Sequence, residues 1–214
     1  MSYKVLGVLI ARVTSQPLDV FFRERIFAPL GMKDTGFSVP HEQLHRLPAC
    51  YEADGETGAL KLFDDASNSR WNQPPAFPQA SGGLVSTVDD YLRFGQMLLN
   101  KGKLEDTRIL SRPSVELMMT NHLTPEQRAA GRVLLDGRGW GFGGAVNIDR
   151  DQIYATPGRY GWDGGYGTSF AVDPQVGLVA ILMTQVGFPR AIDLLRNNVV
   201  SVVVGAKHSG TQLG

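Results

Sequence analysis

A His-Glu-x-x-His string is the first group of residues whose type and spacing could do chemistry. His41, Glu42 and His45 follow this pattern. On a helix it places two imidazoles on one face as zinc ligands, with the carboxylate as general base. Pro40 stands directly before the string and Pro48 three residues after it, and proline is excluded from helix interiors. We therefore expect a short surface helix or turn here, with both imidazoles in solvent and no metal site.

Serine and cysteine nucleophiles are the second possibility. The string nearest to a Gly-x-Ser-x-Gly elbow runs from Gly167 to Ala171, with Ser169 at its centre. An elbow stands at a strand-to-helix turn, whereas this string begins a strand, so we interpret Ser169 as a strand residue. Cys50 is the single cysteine, so no internal disulfide can form. No serine precedes a lysine by three residues, the spacing in which a lysine helps to deprotonate a serine nucleophile.

The charge balance and the apolar segments exclude several classes of partner. Twenty-one basic residues balance 21 acidic ones, so the net charge does not indicate a nucleic-acid or membrane-surface partner. No apolar stretch reaches the roughly 20 residues of a membrane span. The run VLGVLIA at 5–11 ends at Arg12 without the small-residue cleavage site of a signal peptide. We expect this run to form a buried helix instead.

Helices are predicted mainly in the first part of the chain. Apolar residues at helical spacing predict a helix at 5–13 and a second from Pro17 to the stop at Pro29 and Gly31. Ser86 begins a Ser-x-x-Asp start signal for a helix that closes at Gly102, and a short helix follows Ser111. Residues 48–83, which hold Pro48 and three more prolines in NQPPAFPQ, are interpreted as a long irregular loop of the kind that carries function.

Strands are predicted from residue 137 onward. The β-rich runs are GRGWGFGGAVNI, QIYAT, GTSFAVD and LVAILMT, and residues 188–200 return to a helical pattern. Helices, then strands, then a helix predict an α+β fold with a mostly antiparallel sheet flanked by helices.

Three segments, taken in order, closely resemble the serine β-lactamase-like hydrolases. They are APLGMKDTGF at 28–37, ASGGLVSTVDDYLRFGQMLLN at 80–100 and YGWDGGYGTSFAVDPQVGLVAILMTQ at 160–185. That superfamily includes class C β-lactamases, D-alanyl-D-alanine carboxypeptidases and related esterases. The resemblance runs along almost the whole chain and implies a β-lactamase/transpeptidase-like fold. It further implies that residues 1–214 form the C-terminal part of one such domain, whose N-terminal elements lie elsewhere.

The resemblance also implies where a site would lie. Relatives carry a Ser-x-x-Lys nucleophile and a Tyr-x-Asn or Tyr-Ser pair, and both are expected upstream of this chain. Tyr3 is interpreted as a helix-packing residue. A third element, a strand with Lys-Thr-Gly, His-x-Gly or Trp-x-Gly, borders the acyl pocket of relatives, and Trp162, Asp163 and Gly164 match it as substrate-binding residues. The backbone N–H of Gly165 is then the candidate oxyanion donor.

The resemblance implies one function and leaves one alternative. Trp162 stands where penicillin-recognising relatives carry lysine, which favours neutral esters or amides over β-lactams. The implied function is the C-terminal portion of a serine hydrolase that works through an acyl-enzyme, without a cofactor, on ester or amide substrates, with β-lactams and peptides as further candidates. The alternative is a non-catalytic, truncated or degenerate relative that binds a ligand or a partner. An in-frame Ser-x-x-Lys upstream of Met1 would distinguish the two.

Overall fold

Helices and a mostly antiparallel sheet make up the fold, as predicted. The computed structural model describes residues 2–54, 56–150 and 156–187. Its helices are α1 (Ser2–Thr14), α2 (Leu18–Phe22), α3 (Ala28–Leu30), α4 (Val88–Leu99), α5 (Arg112–Met118), α6 (Pro125–Ala130) and α7 (Arg132–Leu135). A π-helical turn at Arg23–Phe27 joins α2 to α3, and 3-10 helices cover His41–Arg46, Ala66–Asn68 and Arg70–Asn72.

Within the described ranges, the strands form one larger sheet and two smaller ones. They are β1 (Cys50–Ala53), β2 (Leu60–Asp64), β3 (Lys103–Leu104), β4 (Thr107–Arg108), β5 (Gly139–Trp140), β6 (Ala145–Val146), β7 (Tyr160–Gly164), β8 (Thr168–Asp173), β9 (Leu178–Met183) and β10 (Val186–Gly187). The larger sheet is antiparallel with the order β5-β6-β7-β8-β9. In the second sheet, β10-β1-β2, β10 runs parallel to β1. Most of the predicted run QIYAT and the predicted helix at 188–200 lie outside the described residues.

Helix α4 packs on the larger sheet and forms the centre of the core. Met97 and Leu98 on this helix are almost completely buried. Gly95 permits the close approach, because a Cβ there would lie 2.5 Å from a methyl carbon of Val179 on β9. The ring of Phe170 on β8 meets the ring of Tyr91 edge-on, with centroids 4.8 Å apart. The packing therefore fixes β8 and β9, and through them β7, which carries the candidate site.

The start of α4 lies one residue later than predicted. Thr87, and not Ser86, is the N-cap, and its hydroxyl accepts a hydrogen bond from the Asp90 N–H at 3.2 Å. Both residues carry a hydroxyl suited to capping, and Thr87 has the extended backbone that is typical of an N-cap residue. The predicted end is confirmed, since Gly102 adopts a φ of 92° and its N–H donates to the Met97 carbonyl.

The predicted burial of the first helix was wrong. The helix itself is present as α1, but Val5, Leu9 and Val13 are 64%, 54% and 75% exposed. Gly7 is its one buried residue, and a Cβ at this position would lie 3.0 Å from that of Ala80. The helix thus makes its closest contact through Gly7, while the side chains of Val5, Leu9 and Val13 lie on an exposed face.

The interpretation of residues 48–83 as an irregular loop was also wrong in part. This region contains the antiparallel pair β1 and β2. The Asp54 carboxylate organises the turn between them and accepts hydrogen bonds from the N–H groups of Glu56 at 3.1 Å and Thr57 at 2.9 Å. An Asp-Gly pair at 54–55 is the sequence signal for such a turn. Three of the four prolines in this region lie after β2, in the part that does remain irregular, and Pro48 lies before β1.

The described helices include none that is long and apolar enough by itself to cross a membrane. The segments Ser2–Thr14 and Leu18–Leu30 reach the length and apolar composition of a membrane span only when they are taken together, and the pair is bent by 83°.

Candidate active site

A tight hairpin between β7 and β8 carries the predicted site residues. Gly164 and Thr168 are the last paired residues, so the turn consists of Gly165, Tyr166 and Gly167. The Gly167 N–H donates to the Gly164 carbonyl at 3.0 Å, and Gly167 has a φ of 79°. This is the pattern of a type I turn followed by a left-handed residue that forms a bulge, a position that glycine occupies without strain.

Gly165 is the first central residue of this turn and is exposed. Hydrogen bonds within the turn engage the N–H of Gly167. Across the three described ranges, no backbone carbonyl accepts a hydrogen bond from the Gly165 N–H. An exposed donor held on a rigid turn is what stabilisation of a developing oxyanion requires. The role of Gly165 itself stays a prediction.

Trp162 lies against a second tryptophan on the neighbouring part of the sheet. Its ring meets the ring of Trp140 edge-on with centroids 4.7 Å apart, and the guanidinium of Arg138 lies 5.6 Å from the Trp162 centroid. The Trp140 indole N–H donates to the Tyr3 hydroxyl at 3.0 Å, and the Gly143 N–H donates to the same oxygen at 3.1 Å. Tyr3 therefore does more than pack in α1, because its hydroxyl anchors the loop beside Trp162.

Asp163 faces a serine on the neighbouring strand. It is paired with Ser169 in the register of β7 and β8, and the Ser169 hydroxyl donates to the Asp163 carboxylate at 2.7 Å. Successive strand residues point to opposite faces, so Asp163 and Trp162 leave β7 in different directions. Arg138 contacts both, with its Nη1 4.0 Å from the Asp163 carboxylate. Ser169 is buried in β8, in agreement with its interpretation as a strand residue.

Tyr166 ties the turn to the loop that follows β2. Its ring meets Trp71 edge-on at 5.0 Å and Phe63 at 5.7 Å. Arg70 donates a hydrogen bond to the Tyr166 hydroxyl, and its guanidinium lies 5.3 Å from the Tyr166 centroid. Burial raises the pKa of Tyr166, and the positive charge of Arg70 opposes this rise. The Trp71 indole N–H donates to the Gly83 carbonyl at 2.8 Å, so a second glycine-rich segment is held beside the turn.

Phe63, Arg70 and Trp71 were missed by the sequence analysis. The region was expected to carry function, but no motif singled out these residues. The available signal is the basic-aromatic pair Arg70-Trp71 between the β2 run and the prolines. Ser69 fixes the backbone there, because its hydroxyl accepts from the Trp71 N–H at 3.3 Å and donates to Asp64 at 2.6 Å.

The His-Glu-x-x-His string forms a 3-10 helix, His41–Arg46, whose imidazoles are both exposed. The short surface helix expected there is confirmed. In a 3-10 helix the side chains three apart eclipse, so His41 and His45 do not share a face as they would in an α-helix. Arg46 instead binds the carboxylate of Asp34 at 2.8 Å, and this hydrogen bond lowers the pKa of Asp34. In the part of the chain that the structure describes, no group of three or more His, Cys, Asp or Glu residues could hold a metal ion.

Comparisons of sequence find relatives that include a penicillin-binding protein and an esterase. Protein Rv1367c of Mycobacterium tuberculosis is 38% identical over 191 residues, which cover 85% of this chain and 46% of the relative. Penicillin-binding protein 4 of Amycolatopsis lactamdurans is 34% identical, over 86% of this chain and 46% of that protein. Esterase EstB of Burkholderia gladioli is 28% identical, over 88% of this chain and 49% of that protein. The chain thus spans about half the length of the curated relatives that it matches.

The comparison of structures agrees. A mutant of simvastatin synthase from Aspergillus terreus superposes with a TM-score of 0.83 at 20% identity, over 96% of this chain and 54% of that one. At this identity the likeness shows the fold, which is the β-lactamase/transpeptidase-like fold predicted from the sequence. Residues 1–202 match the family model described as beta-lactamase. The chain therefore belongs to the beta-lactamase family.

Proposed function

We propose that this chain forms the oxyanion side of the active site in a serine hydrolase that acts through an acyl-enzyme on ester or amide substrates. The single observation that carries the proposal is the β7–β8 turn, on which the Gly165 N–H is exposed and not used by the backbone. Similarity to a penicillin-binding protein and to an esterase supports this chemistry. In this proposal residues 1–214 are the C-terminal part of a single domain.

Each part of the hairpin has a role in the proposed reaction. A serine hydroxyl from outside this chain attacks the substrate carbonyl, and its proton passes to a neighbouring base. The carbonyl oxygen becomes an oxyanion, to which the Gly165 N–H donates. Trp162 and Trp140 supply an apolar wall for the acyl group, and Gly164 keeps the strand free of a side chain next to the turn. Asp163 positions this strand through Ser169.

The second candidate is a non-catalytic relative that binds a ligand or partner through the same surface. It is favoured by the absence of Ser-x-x-Lys from the 214 residues. The two candidates differ in what an active-site probe does. The hydrolase candidate requires that the reading frame containing this chain encode Ser-x-x-Lys upstream, and that its product form a covalent adduct with a fluorophosphonate. The 214-residue chain alone is expected to form none.

The role of Gly165 is tested in the longer protein with a matched pair of variants. Proline suits the first central position of a type I turn but has no N–H, so Gly165→Pro removes the donor and retains the turn. Gly165→Ala retains the donor. We expect Gly165→Pro to reduce kcat for p-nitrophenyl butyrate about 100-fold, as expected for the loss of one oxyanion donor. Gly165→Ala is expected to stay within about threefold of the wild type, since its N–H remains.

Circular dichroism spectra and thermal unfolding of both variants control for folding. Normal turnover by a folded Gly165→Pro variant would show that the oxyanion donor is elsewhere. A longer protein that forms no covalent adduct but still binds the ester would favour the non-catalytic candidate.

A further inference from the structure

Arg70 is held in a fixed position by two aromatic rings. Its guanidinium lies 5.0 Å from the centroid of Trp71 and 5.3 Å from that of Tyr166, and it also hydrogen-bonds to the Tyr166 hydroxyl. Trp71 is itself buried and tied to Gly83. Arginine normally loses much side-chain freedom when it binds a ligand, and this arrangement has already removed part of that freedom.

In the part of the chain that the structure describes, no carboxylate balances the positive charge of Arg70 through an ion pair. The two acidic residues nearest in sequence accept hydrogen bonds from other groups, Asp64 from Ser69 and Asp65 from Ser67. Arg70 is exposed to solvent, so its remaining N–H donors can reach a ligand.

The position of Arg70 relates it to the candidate oxyanion site. Tyr166, which it contacts, directly follows Gly165 in the turn. Through Tyr166, Arg70 therefore adjoins the turn that carries the Gly165 N–H. Arg138, the arginine on the Trp162 side, differs from Arg70 because Asp163 lies beside it.

We infer that Arg70 forms an anion subsite that binds a carboxylate of the substrate, at the end of the turn opposite Trp162. The inference rests on the proposed function of the hairpin and deepens it, because it names the substrate class as esters or amides that carry a carboxylate a few bonds from the scissile carbonyl. Arginine presents paired N–H donors that match a carboxylate. On the opposite side of the site, the indole of Trp162 presents an uncharged surface.

The carboxylate can belong to the acyl group or to the leaving group, and two pairs of esters distinguish these sources. p-Nitrophenyl hemiglutarate and p-nitrophenyl valerate have acyl chains of equal length, with and without a carboxylate. 4-Acetoxybenzoate and 4-acetoxybenzamide differ in the same way in the leaving group. For each pair, the ratio of kcat/KM for the charged and neutral ester is measured in the longer protein. The ratio is compared in wild type, Arg70→Gln and Arg132→Gln, a control that changes another exposed arginine.

We expect Arg70→Gln to lower the ratio about tenfold for one pair, in keeping with the loss of a charge-assisted hydrogen bond. The ratio compares a charged and a neutral ester in the same variant, so an effect of the substitution on the turn itself cancels. Arg132→Gln should change neither ratio. A ratio that is the same in Arg70→Gln and in wild type for both pairs would overturn the inference while the proposed function stands.

Failure of the proposed function is a separate outcome, seen as no hydrolysis of any of the four esters. In that case, the binding of a carboxylate to Arg70 is tested directly. NMR of the 214-residue chain would follow the Arg70 Nε–H and Trp71 indole N–H signals during titration with monomethyl glutarate or dimethyl glutarate. We expect shifts with the monomethyl ester alone, lost in Arg70→Gln. Equal responses to both esters, or no response to either, would overturn the inference.

Discussion

The Asp90 carboxylate accepts a hydrogen bond from the Asp34 N–H at 2.7 Å and thereby joins two segments that are 56 positions apart. The same oxygen accepts from the Thr35 hydroxyl at 2.8 Å, which in turn contacts the Ser86 hydroxyl. Asp90 is buried on α4, so these donors have a charged acceptor shielded from water. This contact connects two of the three segments on which the family resemblance was based, and it holds the glycine-rich approach to α4 in place.

Replacement of Asp90 should therefore destabilise the protein strongly. Asp90→Ala leaves the Asp34 N–H and the Thr35 hydroxyl without their acceptor, and we expect a loss of about 3 kcal/mol in the free energy of unfolding. Asp89→Ala, an exposed neighbour in the same helical turn, should lose less than about 0.5 kcal/mol. Urea denaturation of both variants measures the difference. Equal stabilities would show that the Asp90 contacts contribute little.

Removal of the Ser169 hydroxyl should affect stability and leave acyl transfer intact. The hydroxyl donates to Asp163, and its loss should cost about 1 kcal/mol of unfolding free energy. In the longer protein, Ser169→Ala should still form a full fluorophosphonate adduct, detected by intact-mass spectrometry. If the adduct disappears while the variant remains folded, Ser169 is the nucleophile and the interpretation of the string at 167–171 is wrong.

A side chain at position 161 should be poorly tolerated. A Cβ on Gly161 would lie 2.0 Å from the carbonyl oxygen of Phe170 on the paired strand, so the β7–β8 ladder would have to shift. We expect Gly161→Ala to cost about 1–3 kcal/mol, the range for overpacked positions, or to prevent folding. Gly36→Ala serves as the matched control, because the nearest atom to its Cβ would be 3.5 Å away. Thermal unfolding that gives similar midpoints for both variants would contradict this packing.

Stability should decrease at alkaline pH through Tyr160. Burial, more than the neighbouring tyrosines, raises the pKa of its hydroxyl, which donates to the Phe142 carbonyl at 2.8 Å. A pKa that is higher in the folded state means that the stabilising contribution is complete below the unfolded pKa of about 10 and is lost as pH rises above it.

Each tyrosine whose pKa is raised in the folded state lowers the unfolding free energy by at most about 1.4 kcal/mol per pH unit as it ionises. Tyr160→Phe should therefore reduce the decrease between pH 9 and pH 11 in urea titrations. Tyr91→Phe should do the same, since burial raises the pKa of Tyr91 as well. An alkaline decrease that is identical in wild type and Tyr160→Phe would contradict the burial of this hydroxyl.

Local patterns made the helices and the strands around the candidate site predictable. β8 and β9 were predicted from apolar, β-branched runs bounded by turn residues. Trp162 to Gly165 were predicted as site residues because a Trp-x-Gly motif occurs where relatives have the strand that borders the acyl pocket. The cap of α6 is a local signal that was missed: Thr124 and Gln127 form a reciprocal capping box. The spacing of Thr124 and Gln127 is enough to predict the start of this helix.

The other half of the candidate site could not be predicted, because it depends on contacts between distant residues. Arg70 meets Tyr166 across 96 positions, and nothing near Arg70 in the sequence indicates which aromatic ring will pack against it. The exposure of α1 is a similar case. Its composition suggests burial, and only the tertiary arrangement shows which face packs.

The parallel pairing of β10 with β1 has a consequence for the order in which the chain can fold during synthesis. The Tyr51 N–H donates to the Gln185 carbonyl at 2.7 Å, and Tyr51 is in register with Val186. At about 5–20 residues per second, translation separates these partners by on the order of ten seconds. The β1–β2 hairpin, which includes Phe63, is therefore made before its third strand, and a two-stranded hairpin by itself is only marginally stable in water. Mutations that slow this late step should expose the nascent hairpin to chaperones and proteases even when they leave the finished protein unchanged.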